Sequence, residues 1–143
     1  MAIYFFHPDK EYGFLSNFSN HDFQIDGEVW PTVEHYYQAQ KFIDKKIQLE
    51  IKQAKTPDNA KWLAHKLGDQ IRPDWDRVKD EVMTYAVRKK FETHKELQNL
   101  LITTGDEELI ENSKSDFYWG CGWDGTGQNK LGKILMEIRE NCS

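Results

Sequence analysis

Phe23-Gln24-Ile25-Asp26-Gly27-Glu28-Val29-Trp30-Pro31-Thr32-Val33-Glu34-His35-Tyr36-Tyr37-Gln38-Ala39-Gln40-Lys41-Phe42 is the stretch from which the fold class is read. Residues 23–30 alternate around Asp26-Gly27, a pair that tolerates the positive φ of a tight turn, so they predict a β-hairpin. Pro31-Thr32 then opens a helix that the pattern carries to about residue 42, with the Thr32 hydroxyl as its N-cap. Moving outward, residues 3–6 read as a short strand and 45–54 as a second short helix. Thr56-Pro57-Asp58 is a strong helix start, a capping threonine followed by proline at the first helical position, and Gly68 is a natural stop. Pro73-Asp74 opens the longest helix, ending near Thr93, with Val78, Val82, Tyr85 and Ala86 recurring at helical spacing. Residues 95–103 form another helix, closed by Gly105; Leu109-Ile110 reads as a short strand, 113–127 as a long Gly-rich and aromatic-rich loop, and 129–141 as a last helix. Helices dominate and the sheet is small and near the amino end. The expected fold is α+β, a single compact, mostly helical domain over residues 1–143.

The composition narrows the function classes. Charged residues make up 30% of the 143 and apolar ones 38%, the balance of a globular chain rather than a disordered one. No apolar run approaches the roughly 20 residues that span a bilayer, and Met1-Ala2-Ile3-Tyr4-Phe5-Phe6 lacks the basic start of a secretory signal. Two cysteines, Cys121 and Cys142, make no disulfide framework, so a reduced, cytoplasmic setting is expected. A net charge of −5 argues against a generic nucleic-acid binder but leaves room for a local basic pocket. The five histidines are scattered, and no metal site is expected. No obligate protein partner is evident.

Three segments carry side chains suited to chemistry. On the first helix, Glu34, Tyr37, Gln38 and Lys41 share one face: a carboxylate, a phenol, an amide and an ammonium. By pattern alone that face is more readily a solvated surface, while His35, Ala39 and Phe42 form a neighbouring stripe suited to the core. In the loop, Gly120, Gly122 and Gly125 match the letters of G-x-G-x-x-G, but the chain around them cannot complete a βαβ unit, which argues against a dinucleotide fold. Glycines still allow a close backbone approach, and the helix starting near Asn129 would offer free N–H groups to an anion. The plain alternative is a tight loop packed by Trp119 and Trp123. In Arg72-Pro73-Asp74-Trp75-Asp76-Arg77-Val78-Lys79, the cations could meet phosphate or simply accompany helix capping.

Several motifs in one order make a more specific signal. Gly13-Phe14-Leu15-Ser16-Asn17-Phe18, the run from Trp30 to Phe42, Asp74-Trp75 with Lys79 and Met83, and Lys90-Phe91 come first. Asp116, Trp119-Gly120 and Gly122, Gly127-Gln128-Asn129, Leu131-Gly132 and Leu135-Met136 follow. Together, over roughly residues 12–139, they resemble the YbiA-like (NADAR) family of N-glycosidases. Thr32 stands where the family pattern has serine, and Asp69 follows Gly68 where an arginine is expected.

The resemblance implies an N-glycosidase that needs no metal or other cofactor and hydrolyses the ribosyl C–N bond of a small ribosylated nucleotide. Candidate substrates are ADP-ribosylated guanine, free or in nucleic acid, and a phosphoribosylamino-pyrimidine intermediate of riboflavin synthesis. The alternative is a non-catalytic module that binds ADP-ribose or an NAD-related nucleotide. The resemblance makes Glu34, Asp116 and Trp119 the catalytic candidates. It places Asn17, Phe18, Trp30, Tyr37, Gln38, Lys41, Arg72, Trp75, Lys79, Gly120, Gly122 and Asn129 around the ligand. Direct hydrolysis is the preferred route, with attack by a lysine on an opened ribose as the other. Helix 32–42 and loop 115–128 are expected to serve one cleft.

Overall fold

The computed structural model describes residues 1–142. Its backbone contacts gather into two compact units, Asn20–Lys90 and the pairing of Met1–Ser19 with the described residues from Phe91 onward. The fold class is α+β and mostly helical, as expected. The strands form two separate two-stranded sheets.

The unit Asn20–Lys90 starts with the hairpin. Strands β1 (Phe23–Ile25) and β2 (Glu28–Trp30) pair antiparallel, Phe23 opposite Trp30. Asp26 and Gly27 both have positive φ, 52° and 81°, as a two-residue turn that matches the strand twist requires. Helix α1 (Val33–Ala39) follows, then α2 (Lys45–Lys52) and α3 (Pro57–Lys66). Each has a side-chain cap: Thr32 accepts from the His35 amide, Asp44 from the Lys46 amide and Thr56 from the Asn59 amide. Helix α1 is shorter than its sequence pattern. At Lys41 and Phe42 the backbone tightens to i→i−3 bonds, on the Gln38 and Ala39 carbonyls, so Lys41 sits on the turn that leaves the helix. Helices α2 and α3 both pack on α1, and all seven of its residues are buried. A 3-10 turn at Gly68–Gln70 leads to the long helix α4 (Trp75–Thr93).

In the other unit, β3 (Ala2–Phe5) pairs in parallel with β4 (Glu108–Glu111), Phe5 opposite Glu111. The partner of the first strand thus lies a hundred residues on, a pairing that local alternation does not reveal. Helices α5 (Lys95–Thr103) and α6 (Lys130–Cys142) complete this unit, α6 packing on both β4 and α5. Leu101, Leu109, Leu131 and Leu135 are wholly buried. Among the described residues no helix is long and apolar enough to cross a membrane.

Candidate active site

Helix α1 is held by one histidine. The Thr32 hydroxyl accepts from the His35 amide at 3.1 Å and lies 2.8 Å from His35 Nδ1. His35 Nε2 lies 3.0 Å from the Ala54 carbonyl, which only accepts, so Nε2 carries the proton and Nδ1 takes the proton of the Thr32 hydroxyl. The ring is 1% exposed, and burial lowers its pKa below the ordinary histidine value. A neutral His35 therefore ties the start of α1 to the end of α2 and fixes the rotation of the helix. Sequence reasoning sends His35 to the core, and the structure puts it there.

That rotation sets the neighbouring face. It is not the solvated surface the pattern allowed: Glu34, Tyr37 and Gln38 are 6%, 7% and 4% exposed. Glu34 lies in the first turn, where the helix dipole favours a negative charge. Gln38 Nε2 donates to Glu34 Oε2 at 2.7 Å. A carboxylate only accepts, so this bond fixes which end of the amide faces it, and Gln38 Oε1 points elsewhere. That oxygen is buried and accepts no hydrogen bond from the described residues. Tyr37 packs on Trp75, ring centroids 5.1 Å apart, and the Lys41 ammonium lies 5.6 Å from the Tyr37 ring centre. Burial lowers the Lys41 pKa, Glu34 acts to raise it, and Lys61 and Lys79 lower it further. The helix thus presents a buried carboxylate and a buried amide, and the turn that follows it adds the half-buried ammonium of Lys41.

Other expected residues of this unit have other primary contacts. Trp30 is 4% exposed and meets Tyr36 edge-on at 5.1 Å, and Trp75 is 8% exposed behind Tyr37. The Arg72 guanidinium forms a two-pronged pair with Asp74, at 2.6 and 2.9 Å, which holds the Asp74 carboxyl below the usual carboxylate range. Lys79 pairs with Asp76 at 3.1 Å. Sequence reasoning missed the wall that α3 places beside α1, where Asp58, Lys61, Trp62 and His65 recur at helical spacing and line a cleft with Gln38 and Lys41. The spacing i, i+3, i+4, i+7 was the available signal.

In the other unit, Asn17 is buried and Phe18 half-buried, with the Phe18 amide donating to Ser16 Oγ. Asp116 Oδ1 accepts from the amides of Tyr118 and Trp119 at 3.0 and 2.8 Å, which leaves Oδ2 outside this turn. Trp119 is buried against the edge of Tyr118. A Cβ on Gly120 would lie 2.9 Å from that of Ser113, and one on Gly122, whose φ is +72°, 2.4 Å from the Phe117 ring. These glycines are needed by the packing of the loop itself. Trp123, expected to help pack it, is 73% exposed.

The expectation of free N–H groups at the start of the last helix is corrected. The amides of Asn129, Lys130 and Leu131 donate to the carbonyls of Gly120, Tyr118 and Trp119. The loop folds its own acceptors onto the helix end, which removes these donors from an anion. The side chain of Asn129 is likewise engaged, Oδ1 with the Glu111 amide and Nδ2 with the Leu109 carbonyl, both at 2.9 Å.

Comparison with known proteins now decides the family. The NADAR domain model matches residues 4–143. The chain belongs to the NADAR domain family. A relative from Nostoc punctiforme, named as an N-glycosidase, is 49% identical over 98% of this chain and 92% of its own length. The N-glycosidase YbiA of Escherichia coli is 44% identical over 99% of this chain and 88% of its own. A riboflavin biosynthesis protein of Vibrio vulnificus is 44% identical over 96% of this chain, which corresponds to 38% of that longer protein. The solved NMR structure of E. coli YbiA superposes with a TM-score of 0.90 at 43% identity, covering 98% of this chain and 83% of that one. The NADAR fold is therefore shared in detail, not only in class.

Proposed function

We propose that this chain, a hydrolase acting on N-glycosyl bonds like its NADAR relatives, cleaves the ribosyl C–N bond of a ribosylated nucleotide. The observation that carries the reading is the buried carboxylate of Glu34, held by Gln38 at 2.7 Å in the first turn of α1. Cleavage of a ribosyl C–N bond develops positive charge on the sugar, and a preorganised carboxylate stabilises that charge where water is excluded. Glu34 has this role and orients the attacking water, whose oxygen bonds to the sugar carbon while the base departs with a proton. Asp116 is the second carboxylate, holding ribose hydroxyls or assisting proton transfer through Oδ2. Trp119 excludes water from the reacting carbon. Tyr37, Gln38 and Asn17 supply polar contacts to the ligand, and Lys41 faces its phosphate. We take residues 1–143 as one functional domain, in keeping with the extent of the family match.

The names of the relatives support the bond type, and riboflavin biosynthesis proteins among them support a nucleotide-like substrate. The deciding experiment measures base release from ADP-ribosylated guanine and from a phosphoribosylamino-pyrimidine. Release of either base by the wild-type protein supports the proposal. Tight binding of both compounds without release of either base would make the chain a binding module instead.

A further inference from the structure

Glu34 and Gln38 stand one helical turn apart on α1, the spacing that brings side chains together on one face. Both are buried, 6% and 4% exposed. A carboxylate this far from water reverts to the neutral acid unless other groups support its charge. The dipole of the first turn supports it, and so does Lys41, since the ammonium and the Glu34 carboxylate favour each other's charge. A third support is the hydrogen bond from Gln38 Nε2 to Glu34 Oε2 at 2.7 Å. Among these three, the hydrogen bond alone is directional and fixes where the oxygen lies. Gln38 makes it with an unmatched atom at its other corner: Oε1 has under 1 Å² of accessible surface and no partner among the described residues. A methionine, apolar and of similar length, would fill the space with no unmatched oxygen, so stability alone gives no reason for an amide here. With Oε1 closed off and Nε2 turned to Glu34, the polar end of Gln38 acts first on the carboxylate.

We infer that Gln38 is a positioning residue for Glu34: Nε2 fixes Glu34 Oε2 in the first turn of α1 and holds the carboxylate ionised, so that this bond sets the acid limit of the reaction. The inference rests on the glycosidase reading for what Glu34 does to the substrate, and on the buried geometry for its charge. Other charged groups stand around α1: Asp58, Lys61 and His65 of α3 line the cleft with Lys41, Lys79 of α4 acts on Lys41, and Lys52 of α2 is held by Glu28 at 2.9 Å. All of them remain in the variants below, so differences between variants report the Gln38 bond.

The test compares urea unfolding midpoints of the full chain between about pH 7.5 and 4, a range that reaches below the ordinary glutamate value of about 4.3. A hydrogen bond to a carboxylate lowers its folded pKa, so the stability it adds is present above that pKa and is lost as the pH falls through it. The wild type should therefore exceed Gln38→Met most at neutral pH, and the gap should narrow on acidification. In a Glu34→Gln background the same substitution should shift the midpoint by an amount independent of pH. If Gln38→Met does not fold at neutral pH, the Glu34→Gln, Gln38→Met double variant, which buries no unsupported charge, should fold. A gap of constant width, equal narrowing in both backgrounds, or a double variant that also fails to fold would overturn the inference, because each is the mark of packing alone. With a verified ribosylated substrate, the acid limb of kcat should rise by about one pH unit in Gln38→Met, a tenfold change in ionisation. An unmoved limb would overturn the inference as well. Base release by the wild type with parallel unfolding curves defeats the positioning role alone. A narrowing gap, with no base released by the wild type, defeats the glycosidase reading alone.

Discussion

Helix α1 and the loop at residues 113–129 both carry motif residues, yet they use their polar groups in opposite ways. In the loop, one oxygen of the Asp116 carboxylate, the Asn129 amide and the amides at the start of α6 are matched within the same unit. In α1, a carboxylate is buried beside an amide whose oxygen has no donor among the described residues. Polar capacity that the fold itself satisfies builds a scaffold. Buried capacity left over points to a role beyond the scaffold. The comparison is consistent with the proposed role of α1 in the chemistry and with a mainly structural role for the loop within its own unit.

The sharpest way to break this contrast is a pair of isosteric substitutions. Glu34→Gln removes the charge proposed to stabilise the sugar cation and should lower kcat by roughly 10²–10³, with ligand affinity little changed. Asp116→Asn keeps an oxygen for the Tyr118 and Trp119 amides, so the loop should survive and kcat should fall by less. Single-turnover rates on a verified ribosylated substrate decide it. A larger loss from Asp116→Asn would move the principal carboxylate to the loop, and near-wild-type rates in both would refute the two-carboxylate scheme.

The loop makes the next largest prediction, on stability. Gly122→Ala forces a Cβ into the Phe117 ring at a φ of +72° and should destabilise by about 2–4 kcal/mol. Gly125 has a similar φ, +80°, but open space around its Cβ position, so Gly125→Ala should cost only about 1 kcal/mol. Urea unfolding of the two variants separates packing from backbone strain. Equal losses would mean that the loop is not close-packed, and the scaffold reading would fail.

Local chemistry made much of this legible. The Asp26-Gly27 turn, the Thr32 and Thr56 caps and the helix at Pro57 follow from residue-level rules, and each is present. What stayed hidden depends on distant pairing. The parallel partner of the first strand lies past residue 107, and the carbonyls on the α6 amides come from residues 118–120, which a helix-start signal cannot report. The burial of Glu34 was hidden for the same reason. A single helix face reads as polar until the elements packed around the helix are known. The candidate catalytic residues came from the ordered motifs of the family rather than from any one pattern.

Thr32 offers a sharper view of how α1 is fixed. Thr32→Val removes the cap and leaves His35 Nδ1 without its donor, so the cost should be about 2–3 kcal/mol, the sum of a lost cap and an unmatched buried acceptor. Thr32→Ser keeps the hydroxyl and should stay within about 1 kcal/mol of the wild type. Chemical denaturation measures both. A Thr32→Val variant as stable as Thr32→Ser would show that the histidine bond does not set the helix.

The smallest effect concerns pH and acts through the same histidine. His35 is buried and neutral in the fold, with its pKa lowered by burial, whereas in the unfolded chain it titrates near its ordinary value of about 6.5. Below that value the unfolded state takes up a proton that the native state resists, so it binds more protons and gains stability relative to the fold. The contribution of neutral His35 is therefore complete above about pH 6.5 and declines as the pH falls toward the folded pKa, with a slope of at most about 1.4 kcal/mol per pH unit for one proton. Carboxylates elsewhere add their own acid dependence, so the comparison must be with a variant that lacks only this titration. His35→Gln retains an amide N–H that could reach the Ala54 carbonyl and carries no titratable group. Unfolding free energies of the two proteins between about pH 7.5 and 5.5, a range that brackets the unfolded pKa, should differ in slope, the wild type falling more steeply. Parallel curves would mean that His35 takes up its proton equally in the folded and unfolded chain, so that burial does not lower its pKa; a wild type falling less steeply would mean a protonated His35 in the fold, with the hydrogen bond between Thr32 and Nδ1 reversed.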